Sequence, residues 1–178
     1  YMQALEMTNS HLDRLITTGH LPYQTAFDQG ASGPIKRASG IGRDLRCDHP
    51  YAAYDRLTMK IPMREEGDAH ARAQIRMEEI RASIALILKA IEEMPEGAVN
   101  AELSAAPLTE GLGWCEGTRG STYYCVHFNR DGRLARVKVK SPSFSNWRVF
   151  PFTVHDTNMM DYAINEASFG LTMAGCDR

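Results

Sequence analysis

The residues best suited to chemistry in this sequence lie in one short segment, Glu116-Gly117-Thr118-Arg119-Gly120. Its glycines allow the backbone to turn tightly, which would hold Arg119 at a fixed place near the packed core. A guanidinium group is planar and always charged, so a buried one needs a carboxylate partner or serves a binding site. This segment is therefore the first candidate for a functional site.

A second candidate is the glycine-rich, basic segment GPIKRASGIGRDLR at 33–46. It lacks the glycine, lysine and serine or threonine spacing of a P-loop, and it neither follows a clear strand nor opens a clear helix. A phosphate site is therefore only weakly supported. We favour an ordered loop whose arginines pair with acids such as Asp44 and Asp48.

The histidines and cysteines form no recognisable catalytic or metal-binding pattern. His127 falls in a predicted strand, and no motif places a serine or cysteine nucleophile beside it, so a hydrolase triad is not supported. None of the four cysteines forms a CxxC pair, which argues against a zinc or iron–sulfur site. A disulfide between Cys115 and Cys125 is conceivable, but we favour reduced thiols because no secretory signal is visible.

The composition is that of an ordinary globular protein. The chain has 178 residues, 43% of them apolar and 24% charged, which suits a single domain over residues 1–178. The formal net charge of −2 provides no electrostatic case for binding nucleic acid or an anionic membrane. We interpret the basic face of Arg136, Lys138 and Lys140 as a solvated strand face or a contact between subunits. No apolar run approaches the length of a bilayer span, so we expect no direct membrane crossing.

Strands must position the turn that carries Arg119. The segment STYYCVHF at 121–128 is rich in aromatic and β-branched residues, and LARVKVK at 134–140 alternates between basic and apolar residues. Asp131-Gly132 lies between them and suits a hairpin turn. We predict an antiparallel hairpin near 121–140 with one apolar side, preceded by a further strand in WCEGTRGS at 114–121.

The clearest helix begins after Asp68, a good N-cap residue, and is stopped by Pro95 and Gly97. Apolar residues recur along it at spacings of three and four. About 27 helical residues would extend for about 40 Å, so we expect the helix to run through a helical bundle. Its predicted buried stripe comprises Ile80, Ile84, Ile87 and Ile91.

The remaining segments complete an α+β fold, mainly a helical bundle with a small antiparallel sheet and a C-terminal helix. We predict a helix over Tyr1–Thr18, a long loop with short helical turns over His20–Pro50 and a strand over Tyr54–Met63. We further predict a loop over Glu96–Gly111 and irregular chain marked by Pro142, Asn146 and Pro151. The last predicted element is a helix from Asp156 or Thr157, with a buried stripe of Met160, Ile164, Ala167 and Phe169.

Several segments together resemble one family, the large subunit of nickel–iron hydrogenases in its membrane-bound, energy-converting branch. That branch includes the 49-kDa-type subunit of respiratory complex I. The resemblance implies the C-terminal part of such a subunit, and a start that looks like the middle of a helix agrees with a fragment. The segments that carry it are GPIKRASGIGRDLRCDHPYAAYD at 33–55, GDAHARAQIRMEEIRASIALI at 67–87, EGTRG at 116–120, VKVKSPSFSNW at 137–147 and SFGLTMAGCDR at 168–178.

In catalytic hydrogenases, the last of these segments carries two cysteines that help to hold nickel and iron. Thr172 and Gly175 stand at the matching positions here, and Cys176 is one place off. A threonine hydroxyl is a poor ligand for a soft metal site, and glycine offers none. The resemblance therefore implies no metal and no other cofactor in this chain, with iron–sulfur clusters expected in partner subunits.

The resemblance also selects candidate catalytic residues. EGTRG is similar to the hydrogenase segment EAPRG, whose arginine overhangs the metal site, whereas complex I usually has a lysine there. Without the metal, we expect Arg119 to pair with a carboxylate or to pack into the vacated cavity near Thr172. Asp44 is the preferred partner, because the 33–55 segment faces inward in the family, and Glu116 is the second. Arg119 would either orient an anionic or quinone-like acceptor or merely pin the loop.

Two functions follow as expectations from the resemblance. In the first, the chain is part of an oxidoreductase subunit that passes electrons from an iron–sulfur partner subunit to quinone or another acceptor, without a nickel–iron centre. It would lie peripherally on a membrane-bound complex at the cytoplasmic side, in contact with other subunits of that complex. In the second, it is a non-catalytic assembly subunit that keeps the hydrogenase-like fold.

Overall fold

The computed structural model describes residues 2–98, 100 and 106–176, and these form the predicted α+β fold. Val99, residues 101–105 and the closing Asp177-Arg178, which formed part of the family resemblance, lie outside the described residues. Helices dominate, with one small sheet inserted between the long helix and the last helices. The elements are α1 (Met2–Glu6), α2 (Asn9–Leu15), α3 (Tyr23–Asp28), α4 (Pro34–Ala38), α5 (Leu45–Asp48), α6 (Ala69–Glu92), β1 (Glu110–Gly117), β2 (Gly120–Phe128), β3 (Leu134–Lys140), α7 (Pro142–Val149), α8 (Tyr162–Phe169), and 3₁₀ helices at Phe150–Thr153 and Met159–Asp161.

The sheet confirms the predicted hairpin and the strand before it. The strands form an antiparallel meander in the order β1-β2-β3, with a two-residue turn of Thr118 and Arg119 between β1 and β2. The apolar side of the hairpin is not the side that packs on the body. Val137 pairs with Val126 and is 39% exposed, whereas the buried Ser121 lies on the opposite face of β2.

Helix α6 begins where the sequence predicts, and the Asp68 carboxylate accepts a hydrogen bond of 2.8 Å from the Ala71 amide. The predicted buried stripe is wrong. Helix α6 buries its first two turns against α4 and α8 and extends beyond them, so its later turns have little to pack against. The four isoleucines of the predicted stripe are 50–60% exposed: Ile80, Ile84, Ile87 and Ile91.

The predictions for the first third of the chain are confirmed in part. The helix predicted over Tyr1–Thr18 is interrupted after Glu6, so two short helices replace it. The long loop with helical turns is confirmed, since α3, α4 and α5 lie within it. No strand forms over Tyr54–Met63. Leu57, Met59 and Ile61 are half-buried and the residues between them are exposed, but the segment belongs to no β-ladder of the described sheet.

The C-terminal region contains one helix that the sequence reading missed. Ser141 caps α7 through its hydroxyl, and Pro142 occupies the first turn, which is a favourable start rather than a break. The final helix begins later than predicted, at Tyr162. Its predicted stripe is largely wrong: Phe169 is buried, but Met160 is 77% exposed, and the buried polar residue Asn165 takes the inward position.

The main hydrophobic core joins the 20–45 segment to the C-terminal helices. Phe150 and Phe169 stack edge to face with ring centroids 5.3 Å apart, and Trp147 packs beside Phe150. A second, small cluster of Ala38, Ala71 and Ile75 fastens α4 to α6. These contacts place the end of α4 beside the start of α6.

Candidate functional site

Arg37 on α4 is the centre of the site and is fully buried. Its Nη1 donates to Asp44 Oδ2 at 3.1 Å and to Glu116 Oε1 at 3.0 Å, and its Nε donates to Glu79 Oε1 at 2.7 Å. Nη2 lies 2.6 Å from the same Glu79 oxygen but makes no aligned hydrogen bond. One guanidinium therefore joins carboxylates from three different parts of the chain.

Asp44 belongs to this cluster and also orders the start of α5. Its side chain accepts hydrogen bonds from the amide, Nε and Nη2 of Arg46 at 2.8–3.0 Å. Burial alone would raise the pKa of Asp44, but these hydrogen bonds and the Arg37 charge outweigh burial and lower that pKa. Asp44 is therefore ionised at neutral pH. The prediction that arginines of the 33–46 segment pair with Asp44 and Asp48 is confirmed, since Arg43 Nε lies 3.3 Å from Asp48 Oδ2.

Glu116 connects the cluster to the sheet. It lies near the end of β1, where its Oε2 accepts a hydrogen bond of 2.7 Å from the Ser121 hydroxyl of β2. The amide of Glu116 donates to the Tyr51 hydroxyl at 2.9 Å. Both the backbone and the carboxylate of Glu116 are therefore held in place.

The structure corrects the prediction for Arg119. Asp44 and Glu116, its two expected partners, both bind Arg37 instead. Arg119 is exposed, and no ion pair joins it to a carboxylate in the part of the chain that the structure describes. A Cβ placed on Gly170 would lie 3.9 Å from Arg119 Nε, so Arg119 borders the C-terminal segment at Gly170, two residues before Thr172.

The β1–β2 turn is locked against the start of α4. A Cβ on Gly33 would lie only 2.4 Å from the Arg119 carbonyl oxygen, and Gly33 has a φ of +63°. The Ser32 hydroxyl accepts a hydrogen bond of 2.9 Å from the Ser121 amide. Only glycine permits this approach, which fixes the backbone of Arg119 relative to the helix that carries Arg37.

A cleft of about 650 Å³ lies between the middle of α6 and the β1–β2 turn. Its floor is the carboxylate cluster, represented by Glu79 and Glu116, and its apolar wall is formed by Ile80, Ile84 and Ile87 of α6. Arg46, Arg76 and Arg119 add positive charge around it. The cleft therefore combines an apolar wall with fixed hydrogen-bond donors, which is the usual character of a small-molecule site.

Arg76, like Arg119, has no carboxylate partner among the described residues. Its described hydrogen bond runs from Nη1 to the Arg72 carbonyl oxygen at 3.2 Å, and no carboxylate of the described residues lies within ion-pair distance. Burial lowers the pKa of Arg76, the nearby Arg119 and Arg37 charges add to that effect, and Glu79 opposes it. Arg76 and Arg119 are thus two guanidiniums at one cleft with donors available to a ligand.

The positions that the resemblance assigned to metal ligands do lie together. A Cβ on Gly175 would lie 3.0 Å from Thr172 Oγ1, and the carbonyl of Gly175 accepts a hydrogen bond from the Ser141 hydroxyl. Thr172 Oγ1 lies 3.4 Å from Ser143 Oγ. This donor set does not fit a nickel–iron centre, because the side-chain oxygen is already engaged with α7 and no thiolate is present at either position.

Metal-binding clusters, disulfides and membrane-spanning helices are absent from the described residues. Residues 2–98, 100 and 106–176 contain no group of three or more histidine, cysteine or acidic residues arranged to hold a metal ion. All four cysteines lie in this part of the chain, and none of them forms a disulfide there. No helix of the described chain has the length and apolar character needed to cross a bilayer.

Sequence reasoning missed three residues of the site: Arg37, Glu79 and Arg76. A signal was present for Glu79, which follows the buried Ile75 by four residues and so shares its face of α6. Arg37 lies within the 33–46 segment but has no local feature that marks it as buried. Its burial depends on three acids that reach it from elsewhere in the fold.

Comparison with known proteins agrees with this architecture. The family model described as "Respiratory-chain NADH dehydrogenase, 49 Kd subunit" matches residues 1–110 and 102–178. A carbon monoxide-induced hydrogenase of Rhodospirillum rubrum is 36% identical over 145 residues, covering 80% of this chain and 40% of that protein. The NADH-quinone oxidoreductase D 2 subunit of Koribacter versatilis is 31% identical, covering 87% of this chain and 46% of that protein.

A third relative is the C/D subunit of the NADH-quinone oxidoreductase of Cereibacter sphaeroides, which is 28% identical over 93% of this chain and 33% of its own length. The chain therefore spans about a third to a half of the curated relatives it matches. Because the family model covers the chain from its first residue to its last, this protein belongs to the family of the 49-kDa subunit of the respiratory-chain NADH dehydrogenase.

Proposed function

We propose that this chain is part of the large subunit of a multi-subunit, membrane-bound oxidoreductase of the NADH-quinone oxidoreductase type. It lies peripherally on the cytoplasmic side of the membrane, next to a subunit that carries iron–sulfur clusters. Its role is to bind quinone or a related electron acceptor in the cleft between α6 and the β1–β2 turn. The names and family of its relatives support the class of complex, and the cleft supports the role of this chain.

The main observation in support of this proposal is that arginine donors and an apolar wall line the same cleft. Arg76 and Arg119 lack carboxylate partners among the described residues, and Ile80, Ile84 and Ile87 line the same cleft. A quinone has an apolar ring and two carbonyl oxygens, so it suits both surfaces. Arginine donors fixed beside those oxygens would stabilise the negative charge that develops there when electrons arrive. The electrons would come from the iron–sulfur partner, since reduction of a quinone to a hydroquinone takes up two electrons and two protons.

The test is substitution of Arg119 in the intact complex. Arg119→Lys keeps the charge but loses the planar fork, and Arg119→Ala removes both. We expect reduction of a short-chain quinone to fall in the order wild type, Lys, Ala, by about tenfold or more for Ala, which corresponds to the loss of one charged hydrogen bond. Arg136 on the exposed face of β3 is the matched control, and Arg136→Ala should leave turnover unchanged.

Assembly must be measured on the same preparations. Lost turnover with normal assembly and normal melting supports acceptor binding. Lost assembly with either Arg119 variant would show that Arg119 only pins the turn. Unchanged turnover, assembly and melting would dismiss both roles for Arg119 and with them this use of the cleft.

The exposed face of α6 favours a second candidate, an assembly subunit without an acceptor of its own. Ile84, Ile87, Leu88 and Ile91 are 55–60% exposed on one helix, and apolar surface of this kind commonly marks an interaction site. Ile91→Glu with Leu88→Glu should then prevent assembly of the complex while the melting temperature of this chain is unchanged. If the double variant assembles and turns over normally, this candidate is excluded.

A further inference from the structure

One face of the sheet carries a cysteine, a histidine and a glutamate in line. Cys125 and His127 are two residues apart on β2, so both side chains lie on the same face, and Glu110 of β1 is the direct cross-strand partner of His127. Cys125 Sγ lies 3.6 Å from His127 Nε2, and His127 Nδ1 lies 3.4 Å from Glu110 Oε2. The glutamate therefore favours the tautomer with its proton on Nδ1, which leaves Nε2 able to accept the thiol proton.

This order of groups is that of an activated nucleophile, with a thiol, a base and a third group that orients the base. No sequence motif marks it, because only the pairing of β1 with β2 brings Glu110 to His127. Cys125 is half-buried, and the His127 side chain is 41% exposed, so small molecules in solution can reach both. The three groups lie apart from the cleft beside α6 and take no part in the function proposed for it.

Cys125 opens into a cavity of about 330 Å³ between the sheet and α7. Lys138, the cross-strand partner of Cys125 on β3, lines this cavity together with Lys140, and Leu112 and Phe144 add apolar surface. Neither lysine forms an ion pair with a carboxylate in the part of the chain that the structure describes. The basic face of β3 therefore borders a thiol, and its positive charge favours the thiolate over the thiol.

The other three cysteines lack this environment. Cys115 pairs with Thr122 on the opposite face of the sheet. Burial raises the pKa of Cys47, the Asp44 charge adds to that effect, and burial also raises the pKa of Cys176. These cysteines are therefore internal controls for the reactivity of Cys125.

We propose that Cys125 is a modification site that forms a mixed disulfide with a small disulfide bearing carboxylates. In this step His127 Nε2 takes the thiol proton, Cys125 Sγ forms a bond to one sulfur of the reagent, and the S–S bond of the reagent breaks. The second sulfur leaves as a thiolate and takes up a proton, so the cysteine is oxidised and the reagent disulfide is reduced. The carboxylates of the retained half pair with Lys138 and Lys140.

The geometry favours disulfide exchange over acyl transfer at this thiol. Exchange requires a thiolate and a leaving thiolate, whereas acyl transfer also requires fixed donors for an oxyanion. Lys138 and Lys140 are exposed side chains, which suit recognition of an anionic group rather than fixed stabilisation of a transition state.

The test is the rate at which each cysteine of the folded, reduced chain forms a mixed disulfide with oxidised glutathione at neutral pH. Free thiols are blocked after set times, and the modified peptides are quantified by mass spectrometry. An ordinary thiol is only a few per cent thiolate under these conditions, so Cys125 should react about tenfold faster than Cys115. Equal rates for the two cysteines would overturn the inference.

A second probe tests the recognition of negative charge. Cystamine is a cationic disulfide, and the ratio of the Cys125 rate to the Cys115 rate should be about fivefold higher with oxidised glutathione than with cystamine, as two exposed ion pairs would give. Lys138→Ala with Lys140→Ala should abolish this preference. Arg130→Ala with Arg133→Ala, in the turn between β2 and β3, is the matched control and should retain it. A wild-type chain that shows no preference contradicts the proposal without recourse to any variant.

His127→Gln tests the base. It should slow modification of Cys125 by about tenfold, towards the rate of Cys115, and leave the rate of Cys115 unchanged. Glu110→Gln should slow modification of Cys125 by a smaller factor, because it removes only the group that orients the base. A normal Cys125 rate in a folded His127→Gln chain overturns the assigned mechanism.

Discussion

Arg37 is the residue on which the cluster depends. It is fully buried, and it touches carboxylates that originate 7, 42 and 79 residues away along the chain. A buried charge of this kind stabilises a fold only while its partners are present, and removing one partner leaves the others unpaired. Arg37 therefore holds together α4, the start of α5, the middle of α6 and the end of β1.

The first prediction concerns removal of this guanidinium. Arg37→Leu leaves Glu116 buried without its cation and leaves Asp44 with Arg46 alone, so the free energy of unfolding should fall by about 3–5 kcal/mol. Urea denaturation would measure the change. Arg43→Leu is the control, because Arg43 pairs with Asp48 at the surface, and its loss should change stability by less than about 1 kcal/mol. Equal effects of the two substitutions would contradict the central role of Arg37.

The second prediction concerns pH. The folded-state pKa of Asp44 is lowered, so its contribution is present above the unfolded value of about 3.9 and is lost as the pH falls below it. The folded-state pKa of Glu79 is raised, so the folded state binds more protons and loses stability as the pH rises from about 4.3 through that raised value. Urea midpoints measured from pH 4 to 8 should decline less steeply in Glu79→Gln than in Glu78→Gln.

Helix α6 illustrates that one element can have two different environments. Its first turns carry Ala71, Arg72 and Ile75 into the body, where Arg72 donates to the Gly19 and Gly67 carbonyl oxygens and lies over the Phe169 ring. Its later turns expose a continuous apolar face. The first half is thus a packing element, and the second half is a wall of the cleft with an exposed apolar face.

The third prediction compares one isoleucine from each half. Ile75 is completely buried, so Ile75→Ala should cost about 2–5 kcal/mol of unfolding free energy. Ile84 is 55% exposed, so Ile84→Ala should change the stability of this chain by no more than about 0.5 kcal/mol. Thermal or urea unfolding of the two variants gives the answer. A large loss for Ile84→Ala would mean that its face is covered in solution.

The whole molecule is a compact helical body from which α6 and the sheet project. Exposed apolar residues occur on both projections, for example Ile87 on α6 and Leu112 on β1. The chain spans only about a third to a half of its curated relatives. The C-terminal segment, by contrast, is folded back onto α7 through Thr172 and Gly175.

The fourth prediction follows from that C-terminal segment. The purified chain, expressed with nickel supplied, should hold no stoichiometric nickel, because neither Thr172 nor Gly175 offers a thiolate. Elemental analysis of the metal content is the measurement. Tightly held nickel that is lost on Cys176→Ser alone would show that the matching of the last eleven residues to the hydrogenase segment is wrong.

The elements with strong local signals could be read from the sequence. Asp68 caps α6, Asp131-Gly132 turns the chain between β2 and β3, and Gly117 and Gly120 flank the β1–β2 turn. Each of these features depends on residues that are neighbours in sequence. Ser141-Pro142 was a local signal for the start of helix α7, but Pro142 was interpreted as a mark of irregular chain. The family resemblance was also carried by local segments, which survive when overall identity falls to about 30%.

The pairing of charges was decided only by the tertiary structure. The sequence indicated that Asp44 and Glu116 belong to one site, but it assigned them to Arg119, whereas the fold gives them to Arg37. A side chain becomes buried through what several distant elements place around it, and neither periodicity nor composition records that. The isoleucines of α6 do form one stripe of a helix, as the sequence predicts. The pattern alone does not bury them, because burial requires a partner surface that the described chain does not provide.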